Sequence, residues 1–175
     1  MPIKNVKRAG ITTATLAVVA GLAGTVPVQA GTLGLSVDQL IEKISAASEA
    51  AGAPLSFQEL ACMENPKPGD ATQMIVSCTH SLGDGRLLIT NAEPSGPLLD
   101  ISTQPWEGGS GGSGAAMISW IASAINDAAS PSYREAADDL ANTATASGNG
   151  SATMGNVAFY VIDFDGKLTI TAQAQ

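Results

Sequence analysis

Side chains that could act as a nucleophile or a general base are few in this sequence. It contains one histidine, His80, and two cysteines. Two serines, Ser110 and Ser113, stand in a glycine-rich stretch over residues 108–114. A hydrolase would use one of these hydroxyl groups as its nucleophile and His80 as the base that activates it. A small serine hydrolase is therefore one hypothesis for the function of this chain.

The glycine-rich stretch matches two functional motifs by its letters. Residues 108–112 fit the G-x-S-x-G nucleophile elbow, but in that motif the catalytic histidine follows the serine, whereas His80 precedes Ser110. Residues 109–114 fit the dinucleotide-binding G-x-G-x-x-G motif, but the surrounding pattern is not strand-helix-strand. Because repeated Gly and Ser produce both matches by composition, the stretch predicts a flexible connection.

A metal site is not predicted. His80 has no second histidine to share a zinc ion, and we expect it at a strand end, exposed to solvent. Asp163 and Asp165 begin like a calcium loop, but the later acidic ligands are missing. The adjacent carboxylates of Asp138 and Asp139 do not face each other on a helix, and they are predicted to be solvated. No catalytic residue, metal or cofactor is assigned from the sequence.

The two cysteines organise a hairpin. Cys62 and Cys78 lie on extended segments that flank a loop rich in Pro and Gly, residues 65–70, which predicts a reversal of the chain. If Cys62 lies opposite Cys78, Leu60 shares the apolar face of both sulfurs. In an exported protein a lone cysteine pair is most simply a disulfide. The spacing is far from the C-x-x-C of redox proteins.

The N-terminal residues indicate export. Three basic residues among the first eight positions precede an apolar stretch, and a small-x-small pattern ends at Ala30. We expect a secretory signal peptide over residues 1–30 and a single globular domain over residues 31–175. The protein is then periplasmic or extracellular. An uncleaved anchor is the alternative, which the Thr and Gly residues of the apolar stretch disfavour.

The chain beyond the predicted signal is acidic. From residue 31 onward, five basic side chains stand against sixteen acidic ones, which gives a net charge of −11. A surface of this sign repels nucleic acid and anionic membranes. The predicted partners therefore include neither nucleic acid nor, after signal cleavage, a membrane.

Three helices are predicted. Ser36 and Gln39 form the capping-box pattern at the start of the first. The second covers about residues 115–129, with Trp120 in its apolar stripe, and Ser130 is the predicted cap of the third. A flexible loop is expected over residues 147–151.

The strands predict an antiparallel sheet. Two more short strands follow the cysteine hairpin, and a terminal hairpin turns at residues 165–166. The order α-β-β-β-β-α-α-β-β indicates an α+β fold, with about six strands, helices on one face and one disulfide. This order resembles the α-β-β-β-α-β-β order of small secretion-chaperone-like proteins, and the resemblance concerns element order alone.

Two places could contact a partner. With Phe164 opposite Lys167, one face of the terminal hairpin is apolar, and the other carries Tyr160, Ile162 and Phe164, too apolar to be simply solvated. Trp106 beside the glycine-rich stretch is the second candidate: it is either an exposed binding aromatic or a plug at one end of the core.

The leading hypothesis for function is a small exported binding or interaction module. It contacts a protein partner or a second copy of the chain. The hydrolase with His80 is one alternative, and a passive accessory protein of the cell envelope, secured by its disulfide, is the other.

Overall fold

The protein is an antiparallel sheet of seven strands with three α-helices, as seen in a computed structural model. The structure describes residues 31–109 and 111–175, so the predicted signal peptide and Ser110 lie outside the described residues. The elements in chain order are α1 Val37–Ala50, β1 Gln58–Lys67, β2 Asp70–Ser81, β3 Leu87–Ala92, β4 Leu98–Glu107, α2 Ser113–Asn126, a 3-10 turn Ser130–Tyr133, α3 Arg134–Ser147, β5 Asn149–Met154, β6 Val157–Phe164 and β7 Lys167–Ala174. The strand order across the sheet is β1-β2-β3-β4-β7-β6-β5.

The α+β class and the antiparallel sheet are confirmed, and the sheet has one strand more than predicted. The additional strand is β5, in the segment that was predicted to be a loop. Gly148, with φ 81°, ends α3, and the chain then pairs with β6 from Asn149↔Ile162 to Met154↔Val157. The small residues of β5 have little strand propensity, so pairing with β6 decides their conformation.

Helix α1 begins where side-chain hydrogen bonds satisfy its first backbone groups, and the starts of α2 and α3 have no such cap. The capping box of α1 is present: Ser36 Oγ accepts from the Gln39 N–H, and Gln39 Oε1 accepts from the Ser36 N–H. The third helix differs from the prediction, because a 3-10 turn containing Pro131 comes first and α3 starts at Arg134. The second helix stops earlier than predicted, since Asp127 is left-handed with φ 50°.

The three helices lie on one face of the sheet, which we call the covered face. Helix α2 contacts both α1 and α3, and α2 and α3 contact the strands beneath them. The apolar face predicted for the terminal hairpin is buried in this core, namely Val157, Phe159, Val161, Leu168 and Ile170. We call the opposite, uncovered surface the open face.

The β6–β7 turn is the one that the sequence predicts. Phe164 pairs with Lys167, and the two residues between them, Asp165 and Gly166, have φ 56° and 76°. A two-residue hairpin turn of this type requires positive φ at both central positions, which Asp-Gly tolerates well.

The β1–β2 hairpin carries the predicted disulfide. Cys62 pairs directly with Cys78 in the strand register, and their Cα atoms are 4.1 Å apart. Leu60 departs from the predicted face, because the register shifts between Glu59 and Ala61 and places Leu60 in a bulge. Eight of the ten residues of β1 are exposed, so this strand extends past the shelter of the helices.

No helix in the part of the chain that the structure describes is both long and apolar enough to cross a membrane.

Candidate functional site

Three large apolar side chains share the open face of β6. Tyr160, Ile162 and Phe164 are 49%, 59% and 83% exposed, whereas Phe159 and Val161 between them are buried in the core. This alternation follows from the pleat, which sends successive side chains to opposite faces of the sheet. The three residues predicted from the sequence are therefore neighbours on one surface, which we call the β6 patch.

Beyond the β6 patch the open face is mixed, because polar side chains lie there beside Leu87 and Ile89 of β3. Ser77 donates to Asn91 Oδ1, and the Asn91 amide donates to Asp100 Oδ1 over 2.7 Å, so one side chain from each of β2, β3 and β4 is joined in a row. Partial burial raises the pKa of the Asp100 carboxyl, and the hydrogen bond from Asn91 opposes that rise.

Formal charge is sparse on the open face. The strand register places Asp100 and Glu107 there, and Glu107 forms an ion pair with Lys167 of β7. Twelve of the sixteen acidic residues lie instead in α1, α3, β1 and the connecting segments. The open face is therefore close to neutral in a strongly acidic protein.

Trp106 does not form the exposed aromatic site that was one of its two predicted roles. It is 1% exposed, and its Nε1 donates to Thr103 Oγ1 over 2.8 Å. Strand β4 continues through Trp106, pairs it with Leu168 and turns it toward the covered face. The alternative prediction, a tryptophan that plugs one end of the core, describes its position. Trp120 is also buried, as predicted.

The expectation that His80 is exposed was wrong. His80 pairs with Leu88 on the covered face and is 3% exposed. Its Nε2 has no hydrogen-bond partner among the described residues. Burial lowers the pKa of the His80 imidazole, and the charges of Glu59 and Asp38 work in the opposite direction.

The hydrolase hypothesis depends on Ser110 or Ser113 as the nucleophile, and the structure describes the position of Ser113. Ser113 Oγ accepts a hydrogen bond from the Glu107 N–H over 3.1 Å and begins α2. No hydrogen bond joins Ser113 to His80 in the described part of the chain. Ser110 lies outside the described residues, so its role as a nucleophile stays a prediction.

The glycine-rich stretch is anchored to α3, although the sequence predicted a flexible connection. The Gly109 N–H donates to Thr145 Oγ1 over 3.0 Å, and the Gly111 N–H donates to Asp138 Oδ1 over 3.1 Å. Asp138, predicted to be merely solvated, therefore positions the loop. Gly111, Gly112 and Ser113 line one side of a cleft.

That cleft lies between the end of α1, the glycine-rich stretch and the starts of α2 and α3. We call it the arginine cleft. Its volume is about 440 Å³, and the residues that line it are Ala51, Ala53, Pro54, Leu55, Arg86, Trp106, Gly111, Gly112, Ser113, Ala116, Trp120 and Arg134. Two hydrogen bonds to Ser48 fix its apolar wall: the Leu55 N–H donates to Ser48 Oγ over 3.1 Å, and the Ala53 N–H donates to the Ser48 carbonyl over 2.9 Å.

The sequence reasoning missed Arg86 and Arg134. They are the two arginines of residues 31–175, and both line the arginine cleft. The one feature of the sequence that could have drawn attention to them is that arginine is rare in this acidic chain. Their convergence could not be read from the sequence, because 48 positions separate them and they lie on different elements.

A group of potential metal ligands surrounds the disulfide. A Glu59 carboxylate oxygen and the sulfurs of Cys62 and Cys78 lie within 4.8 Å of one another. Both sulfurs belong to the disulfide, so neither is the thiolate that binds a metal. The arrangement does not supply a metal site.

Comparisons with protein-family models, with curated proteins and with solved structures find no match to this chain.

Proposed function

We propose that this protein is a small exported binding module that associates with a second copy of itself through the open face of its sheet. The observation that carries the proposal is the β6 patch, in which Tyr160, Ile162 and Phe164 are exposed side by side. Contiguous apolar surface of this kind is typical of interaction sites, whereas scattered single apolar residues are not.

The charge distribution makes the open face the surface that least opposes contact with a second copy. Two molecules of net charge −11 repel each other over most approaches. The open face lowers this repulsion, because it presents Asp100, an ion pair and otherwise neutral side chains. Contact through that face also keeps the acidic helices of the two copies on opposite sides of the assembly.

The dimensions of the open face suit such a contact. Seven strands spaced by about 4.8 Å span roughly 30 Å, and a strand of six residues is about 20 Å long. The projected area of about 600 Å² approaches the ~800 Å² that each partner buries in a standard interface. Two sheets packed in this way would lie about 10 Å apart.

Export, a periplasmic or extracellular location and the absence of nucleic-acid or membrane partners belong to the same proposal. The Cys62–Cys78 disulfide and the acidic composition support them. A different protein partner at the open face and a passive envelope protein are the competing outcomes.

Sedimentation equilibrium of the exported protein over a wide concentration range tests the proposal. Phe164→Ser removes the most exposed apolar side chain of the β6 patch, so we expect a dimer whose dissociation constant rises about tenfold or more in this variant. Met74→Ser is the matched control, because Met74 is exposed but lies on the other side of the sheet. A monomer at every concentration would contradict self-association, and an equal effect of both substitutions would contradict its assignment to the β6 patch.

A further inference from the structure

The arginine cleft has the size and lining of a small-molecule site. Its volume of about 440 Å³ lies within the ~300–1,000 Å³ that is typical of ligand pockets. It belongs to the helical side of the sheet and shares no residue with the β6 patch. An inference about it therefore does not depend on self-association.

The cleft concentrates positive charge in an acidic chain. Of the five basic residues from position 31 onward, two line this one cleft, and both are arginines. Exposed charges farther away than a Debye length, about 8–10 Å in physiological salt, are largely screened. The two guanidinium groups and the charged side chains nearest to them therefore contribute most of the field within the cleft.

Those carboxylates leave the guanidinium groups incompletely paired. The closest approach between Arg86 Nη2 and Asp84 Oδ2 is 3.5 Å, and that between Arg134 Nε and Asp138 Oδ2 is also 3.5 Å. A well-formed charged hydrogen bond is about 2.7–2.9 Å long. In addition, Arg86 Nε is buried and has no hydrogen-bond partner among the described residues. The oxygens of an anion in the cleft would complete the pairing of the terminal guanidinium nitrogens.

Arg86 is held in position before any ligand arrives. Its guanidinium carbon lies 4.7 Å from the centroid of the Trp106 ring, at which distance a cation and an aromatic ring attract each other. Trp106 is itself fixed by its hydrogen bond to Thr103. Because the planar fork is already ordered, binding an anion costs less conformational entropy.

The start of α2 adds to the attraction for anions. Gly112 and Ser113 line the cleft, and Gly112, at the N-cap of this 14-residue helix, has no side chain to cap it. The N-terminal end of a helix dipole is positive. This contribution supplements the two arginines and would not define a site without them.

The remaining lining is apolar. Ala51, Ala53, Pro54, Leu55 and Ala116 supply it on the helical side. A second hollow of about 240 Å³ adjoins the first and shares three lining residues with it, Ala51, Trp120 and Arg134. Arg134 thus lines both hollows.

We infer that the arginine cleft binds a small organic anion, with its carboxylate or phosphate group between Arg86 and Arg134 and its apolar body against the alanine-rich wall and Trp120. Carboxylates and phosphates share the oxygen geometry that a guanidinium fork recognises. The two head groups are distinguished by the choice of probe.

Tryptophan fluorescence of the exported protein measures this binding directly, since the chain has two tryptophans and both line the cleft. The probes are 4-phenylbutyrate, phenyl phosphate and the neutral 4-phenylbutanamide. We expect a saturable change with at least one anion and binding of the amide that is about tenfold weaker or more, because the amide lacks the charge. The tighter of the two anions identifies the head group.

Substitutions assign the binding to the cleft. Arg134→Gln, at a half-exposed position, should raise the dissociation constant about tenfold or more, as should Arg86→Lys, which keeps the charge but loses the planar fork. Lys67→Gln is the matched control, since it removes one positive charge from the β1–β2 hairpin and should leave binding unchanged. Thermal unfolding of each variant verifies that it is folded.

Three results would overturn the inference. One is the absence of a saturable fluorescence change with either anion up to about 10 mM, which would mean that any binding is weaker than millimolar. Another is binding of 4-phenylbutanamide as tight as that of 4-phenylbutyrate. The third is an Arg134→Gln or Arg86→Lys variant that is folded and binds like the unsubstituted protein.

Discussion

The β1–β2 and β6–β7 hairpins belong to one sheet but are held by different forces. In β7 every second residue from Leu168 to Ala174 is buried, because the covered face packs under α2 and α3. In β1 eight of ten residues are exposed, and hydrophobic burial cannot hold it. There a disulfide takes the place of a core. A strand can thus join a sheet through pairing and one covalent link, without an apolar face of its own.

The largest effect is expected at β6, where Phe159→Ala leaves a cavity in the core. Phe159 is fully buried, so the substitution should lower the free energy of unfolding by about 3–5 kcal/mol. Tyr160→Ala is the matched control on the neighbouring position of the open face and should cost clearly less. Urea unfolding measures both. Equal losses would mean that the sheet is covered on both faces.

The second effect concerns the disulfide of the other hairpin. Replacing Cys62 and Cys78 together by Ala should lower the free energy of unfolding by at most about 3 kcal/mol, the chain-entropy value for a loop of this size. The β6–β7 hairpin should keep its amide protection while β1 loses its own. Urea unfolding and hydrogen exchange test this pair of expectations, and uniform loss of protection in all strands would refute the local role of the bridge.

The third expectation concerns His80, where β2 leaves the exposed hairpin and enters the core. Burial lowers its pKa below the ordinary value of 6.5, so between these two pKa values the unfolded chain binds more protons than the folded one. The contribution of neutral His80 to the free energy of unfolding is complete above about pH 6.5 and is lost as the pH falls through the lowered pKa.

The difference in unfolding free energy between the natural protein and His80→Leu isolates this contribution. Urea unfolding from about pH 7.5 to pH 5 should show the natural protein losing more stability than the variant. Parallel pH profiles for the two proteins would show that His80 does not titrate differently in the folded state.

The smallest effect is expected from Leu60→Ser in the bulge of β1. Leu60 is exposed, and surface substitutions away from special features usually stay within about 0.5 kcal/mol. Urea unfolding should therefore place this variant beside the natural protein. A loss like that of Phe159→Ala would reveal packing in the hairpin that the exposure of Leu60 does not suggest.

The parts of the fold with strong local signals were predictable. The Ser36–Gln39 capping box, the Asp165–Gly166 turn and the pairing of Cys62 with Cys78 each rest on residues close in sequence. Strand β5 was missed because Gly150 and its small neighbours carry no local strand signal, and only pairing with β6 makes them a strand.

The candidate sites also differ in whether local sequence patterns predict them. Tyr160, Ile162 and Phe164 follow from strand alternation once the turn is known. The arginine cleft is formed by residues of several elements whose relative placement the sequence does not show, and Arg86 and Arg134 gave no periodic pattern. The position of His80 also depended on packing, since strand register alone does not reveal which end of β2 the helices shelter.

The exposed edge of the sheet has a consequence for how copies of this protein can meet. Strand β1 ends one side of the sheet, and it carries a bulge at Leu60, carboxylates at Glu59 and Glu64 and a proline at Pro66. Each of these makes an edge a poor template for the addition of another strand. The β1–β2 hairpin is thereby protected from pairing with a strand of another molecule at this edge of the sheet.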